Sequence, residues 1–194
     1  MTPYTNPQYG WILLGTFAIN YSMVVVAIET IGLFLPQMAE EMSLSPSQQG
    51  WLAASVMFSN LLLEIPANWL FSRYRPWRAS VASFSTAVIF IAFNGWAPTF
   101  AVLLLARVGL GVIYLSVQSS RTLLLLQWIP KRRLGIANGI LFSVLETVIG
   151  LGFVIMPLIM ATVGDWRNAL YVWAGACGVG TVVWLIVGRD TKNR

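Results

Sequence analysis

Six apolar segments, each long enough to cross a bilayer, run through the chain and fix what it can fold into. A helix rises about 1.5 Å per residue, so about 20 apolar residues cross ~30 Å of hydrocarbon. The segments cover approximately 9–35, 48–71, 79–96, 99–128, 134–163 and 168–188, and are numbered spans 1 to 6. Only 10% of the residues are charged, against about 25% in soluble domains. A chain with so little polar surface needs the lipid bilayer as its solvent. The expected class is an all-α membrane protein, a single six-helix transmembrane bundle over 1–194.

The connections are short, and they sort the basic residues. Arg73, Arg75 and Arg78 lie between spans 2 and 3, Lys131, Arg132 and Arg133 between spans 4 and 5, and Arg189, Lys192 and Arg194 follow span 6. The opposite side holds only Arg167. Basic residues concentrate on the cytoplasmic side of membrane proteins. Both termini are therefore expected in the cytoplasm and the chain in the plasma (inner) membrane. The net charge of +5 is then a consequence of topology, and no nucleic-acid partner is implied. The first nine residues carry no Lys or Arg, so the first apolar segment reads as a span rather than a cleaved leader.

There is no histidine, and Cys177 is the one cysteine. A histidine-based metal site and a Ser-His-Asp triad are excluded, as is an internal disulfide. No enzyme activity, cofactor or metal is expected.

Five ionisable residues fall inside spans: Glu29, Glu64, Arg107, Arg121 and Glu146. Each costs about 2.5–3.5 kcal/mol on insertion scales and requires a partner or a wet cavity. In span 4, Arg107, Gly111, Tyr114, Gln118 and Arg121 are spaced 4, 3, 4 and 3 and share one narrow stripe. The stripe is too polar for lipid and is expected to face the bundle interior. Span 5 carries a stripe of Gly139, Phe142, Glu146, Gly150, Phe153 and Pro157, whose glycines would admit a close neighbour. In span 2, Met57, Asn60, Glu64 and Asn68 share a face. Depth pairs Glu29 with Arg107 in the outer half and Glu64 with Arg121 nearer the cytoplasm. Arg107, Tyr114, Gln118 and Glu29 are the candidate substrate contacts. Glu29 and Glu146 are the candidate proton-coupling groups, since carboxyls inside membranes mark proton relays. Trp11, Trp51, Trp69, Trp77, Trp96, Trp128 and Trp166 read as interfacial anchors.

Several motifs together resemble the major facilitator superfamily. They are Arg107-Val-Gly-Leu-Gly111, the run Gln127-Trp-Ile-Pro-Lys-Arg-Arg-Leu-Gly135-Ile-Ala-Asn-Gly139, Asp165-Trp166-Arg167, and Leu35-Pro36 followed by Leu44-Ser45 and Gln49-Gly50-Trp51. The resemblance runs along essentially the whole chain. It departs in the loop between spans 2 and 3, which in the family reads Gly-x-Leu-x-Asp-Arg-x-Gly-Arg-Arg and latches two halves together. In this chain Asn68, Ser72 and Arg75 stand at the first glycine, the aspartate and the second glycine, and Arg73 is retained.

The resemblance implies two inverted three-helix repeats, equal to the N-terminal half of a twelve-helix fold. It implies spans 1 and 4 on a central cavity, spans 2 and 5 against a second half, and spans 3 and 6 outside. The function it implies is half of a secondary transporter that moves a small organic solute by alternating access. The two arginines on the span 4 stripe point to an anionic or zwitterionic substrate, and Glu29 and Glu146 to proton coupling. Glu64, Arg121 and Arg73 would close the cytoplasmic end. The second six-helix half would be another copy of this chain, a separate chain, or a missing C-terminal part. The alternative is a non-transporting membrane protein that assembles with or regulates a partner.

Overall fold

A computed structural model describes residues 7–190, and Lys192 and Arg194 lie outside the described residues. Span 1 is built of α1 (Pro7–Glu29) and α2 (Ile31–Met42), interrupted at Thr30. Spans 2 to 6 are α3 (Pro46–Phe71), α4 (Pro76–Trp96), α5 (Phe100–Trp128), α6 (Leu134–Val163) and α7 (Trp166–Val187). All six are long and apolar enough to cross a membrane.

Local chemistry sets the helix ends. Ser45 and Gln48 form a reciprocal capping box at the start of span 2, with Pro46 in the first helical position. The Asp165 carboxylate accepts from the Asn168 amide at 2.7 Å and starts span 6. The helix of span 1 does not stop before Pro36. It passes through that proline and ends at Met42, beyond the expected 35.

The packing shows how the repeats are related. Span 1 packs on spans 5 and 6, span 4 on spans 2 and 3, and span 3 meets span 6. Exchanging 1 with 4, 2 with 5 and 3 with 6 maps this set of partners onto itself. A three-span repeat starts and ends on opposite sides, so its second copy is inverted. Spans 1 and 4 are the most enclosed and span 5 the least.

Small residues and hydroxyls bring the helices together, as expected where hydrocarbon supplies no hydrophobic drive. A Cβ on Gly111 of span 4 would sit 2.7 Å from Ser59 Cβ of span 2. The symmetric contact joins Gly152 of span 5 to Val26 of span 1. Gly139 and Gly150, expected to admit a neighbour, have open space beside them within this bundle. Phe17, Phe84 and Trp184 form an aromatic cluster across spans 1, 3 and 6. The Trp184 indole donates to Ser80 Oγ at 3.0 Å, and Ser83 and Ser116 hydroxyls lie 2.6 Å apart between spans 3 and 4.

The end that carries both described termini is tied by Tyr9, whose hydroxyl donates to the Val187 carbonyl. Trp128 Nε1 donates to the Arg189 carbonyl at 3.2 Å, and Asp190 accepts from the Trp77 amide at 3.0 Å. The far end is held by a clamp. Glu41 accepts from Trp166 Nε1 at 2.7 Å and from Arg167 Nε at 2.9 Å. Arg167 also donates to the Gly95 and Ala97 carbonyls at 2.8 Å each. Trp166 is therefore buried in the clamp, 1% exposed, and is not the interfacial anchor expected of it.

Candidate functional site

Span 4 places its polar stripe as the spacing requires, but the members divide among different surroundings. Arg107 is 1% exposed. Both of its terminal nitrogens donate to the Ile28 carbonyl, at 3.2 Å each. That carbonyl lies two residues before the interruption in span 1. Glu29, the last residue of α1, points out to an exposed position. It makes no ion pair with Arg107 within 4.0 Å. Among the described residues the ion pairs within 4.0 Å are Arg167–Glu41 and Arg75–Asp190. Neither Glu29–Arg107 nor Glu64–Arg121 pairs. Depth along a helix axis set both expectations, and azimuth overrules them.

Tyr114 is half-buried and stacks on Tyr21 of span 1, ring centroids 6.0 Å apart. Gln118 lines a groove of about 340 Å³ between spans 2 and 4, together with Glu64, Asn68, Ser72, Ser119 and Thr122. The Ser119 hydroxyl donates to Asn68 Oδ1 across it. Glu64 thus belongs to the span 2 side of span 4, away from Arg121. Arg121 turns toward span 5, its guanidinium 4.9 Å from the centroid of the Phe142 ring. Glu146 stands one turn beyond Phe142 and is exposed. Arg73 is exposed beyond the end of span 2 and lies 3.5 Å over the Trp69 ring.

Two contributors were not legible from the chain alone. Tyr21 is an aromatic residue among many, and Glu41 sits in a connection. Tyr21 joins span 1 to the stripe by stacking on Tyr114. Among the described residues no cluster of His, Cys, Asp and Glu fits a metal ion.

Tyr114 and Arg121 of span 4 face spans 1 and 5, where they meet Tyr21 and Phe142. Three carboxylates of the spans, Glu29, Glu64 and Glu146, are exposed. Around Glu64 the exposed face of span 2 is otherwise apolar, with Leu61 78% and Ile65 85% exposed.

Comparison with known proteins bears on the family and the fold. The family model described as Major Facilitator Superfamily matches residues 12–194. A protein of Cupriavidus necator described as "Probable sulfoacetate transporter SauU" is 23% identical over 187 residues, 94% of this chain and 42% of that protein. Among solved structures, a bacterial homologue of the human lysosomal transporter Spinster, inward-facing and unoccupied, has the same fold. It superposes with a TM-score of 0.76 at 18% identity, over 100% of this chain and 45% of that one. The chain thus spans less than half the length of the proteins it matches.

Proposed function

The chain belongs to the major facilitator superfamily, and from that premise we propose that it is one six-helix half of a secondary transporter for a small organic acid. The observation that carries this reading is the exposure of Glu29, Glu64 and Glu146 on spans long and apolar enough to cross a membrane. Ionisable side chains within spans rarely face lipid. These carboxylates mark a surface that meets water or protein, which is what a second half and a cavity between halves provide. Spans 2 and 5 then form the seam, and spans 1 and 4 line the path.

The proposed roles follow from position. Glu29 and Glu146 exchange protons with the cavity and couple solute movement to the proton gradient. Tyr114 and Gln118 contact the solute. Glu64, with Arg73 beyond the end of its span, meets the second half at the cytoplasmic end. The basic connections support cytoplasmic termini and a plasma-membrane location. The relative described as a sulfoacetate transporter suggests the first solute to try.

The test is uptake of labelled sulfoacetate into proteoliposomes holding the chain with its second half, under an imposed pH gradient. Saturable accumulation that collapses with the gradient supports the reading. Absence of uptake for sulfoacetate and for a panel of small carboxylates and sulfonates, from a protein shown to be folded and assembled, would overturn it.

A further inference from the structure

Resting on the transporter reading, we infer that the side chain binding the substrate is Arg121 rather than Arg107, and that its ligand is the oxyanion head of a small organic acid, carboxylate or sulfonate. The two arginines share one stripe about 21 Å apart at ~1.5 Å per residue, yet their valences are spent differently. Arg107 is buried and commits both terminal nitrogens to the Ile28 carbonyl. Its Nε also lacks a partner, but at 1% exposure a ligand reaches it only by opening the bundle.

Arg121 is half-buried and donates no hydrogen bond to any described residue, nor does any carboxylate among them come within 4.0 Å. Its Nε is shielded and has no partner. The contact that holds it is the face of Phe142. A cation over a ring is oriented by the ring face while its N–H edges stay free. A guanidinium presents five donors in a planar fork that matches an oxyanion with two or three oxygens. Tyr114 lies two turns away on the same stripe, its ring stacked on Tyr21 of span 1. Glu146 is on the same face of span 5 as Phe142 and does not neutralise the arginine by contact. An unpaired cation inside a span is costly, and an arriving anion removes that cost.

The experiment is calorimetric titration of the full chain in lipid nanodiscs with propionate, ethanesulfonate and ethyltrimethylammonium. The expected result is binding of both anions and not of the cation. Arg121→Gln, with an unchanged helical spectrum, should weaken the anions by roughly 10- to 150-fold, the range for a lost hydrogen bond to a charged group. A variant-free readout accompanies it: either anion should protect Arg121 of the wild-type chain from phenylglyoxal, mapped by mass spectrometry. Wild-type affinity in a folded Arg121→Gln overturns the inference, as does an Arg121 left unprotected by a bound anion. Binding of the cation alone, or of none of the three, also overturns it. In those cases solute uptake by the assembled protein still decides the transporter reading separately.

Discussion

The guanidinium of Arg107 holds the backbone carbonyl of Ile28 through two N–H donors at 3.2 Å each. One residue of span 4 thereby braces span 1 beside the place where its helix is interrupted. A backbone oxygen near a helix break in hydrocarbon needs a donor, because an unsatisfied polar group there costs several kcal/mol. The arginine meets that need, and Glu29, the next residue along, is left free to face outward.

Arg107→Met removes the brace while keeping bulk. It should lower stability by about 1–3 kcal/mol, the cost of leaving a buried acceptor unsatisfied. Arg107→Lys should lose less, since one donor can remain. Chemical unfolding in mixed micelles ranks the three proteins. Equal stability of the methionine variant would show that the carbonyl finds another donor.

The two classes of glycine separate bundle packing from the seam with a second half. Gly111→Ala would put a methyl 2.7 Å from Ser59 Cβ and 3.3 Å from the Val56 carbonyl, forcing spans 2 and 4 apart. A loss of about 1–3 kcal/mol is expected, the range for overpacking. Gly150→Ala meets nothing in this bundle. It should be neutral or stabilise the isolated chain by up to about 1 kcal/mol through helix propensity. If span 5 forms the seam, the same change should weaken assembly with the second half, measured as native mass in nanodiscs.

How much of this was legible in the chain depends on what kind of information each feature needs. The spans follow from length and apolarity, which hydrocarbon thickness sets, so all six are present. Angular placement follows from 100° per residue, so the stripe of span 4 turns inward at Arg107 and Gly111 as expected. Partner choice does not follow, because it depends on azimuth and on backbone breaks. Nothing in the segment around Glu29 and Thr30 announces that the helix is interrupted there. Span 1 is expected to end near residue 35, yet its helix continues through Pro36 to Met42. That extension carries Glu41 to Trp166 and Arg167, 125 and 126 residues away in sequence.

The clamp at the far end has an internal ranking. Arg167 donates to Glu41 and also to the Gly95 and Ala97 carbonyls. Glu41→Ala removes one partly exposed partner, and pairs of that kind contribute about 0.2–1 kcal/mol. Arg167→Ala orphans two backbone carbonyls as well and should cost more, with each lost bond to a charged group near 1.5–3 kcal/mol. Thermal unfolding of the two variants in nanodiscs checks the order. A larger loss in Glu41→Ala would mean that its bond to Trp166, not the ion pair, closes this end.

Proton coupling makes the most demanding prediction because it fixes a ratio as well as a direction. One proton moved down one pH unit is worth about 1.4 kcal/mol, a tenfold concentration ratio. If Glu29 carries that proton, the assembled wild type should accumulate solute about tenfold per pH unit, inside alkaline. Glu29→Gln mimics the protonated group permanently, so the proton can neither board nor leave. That variant should equilibrate solute across the membrane without accumulating it, while still exchanging labelled for unlabelled solute. The Arg107 brace rests on the Ile28 carbonyl and not on the Glu29 side chain, so folding should survive the change. Glu146→Gln supplies the parallel measurement on span 5. Full gradient-driven accumulation in Glu29→Gln with its loss in Glu146→Gln would move the coupling site to span 5, beside Phe142 and Arg121. Full accumulation in both variants would remove the two carboxyls from coupling altogether.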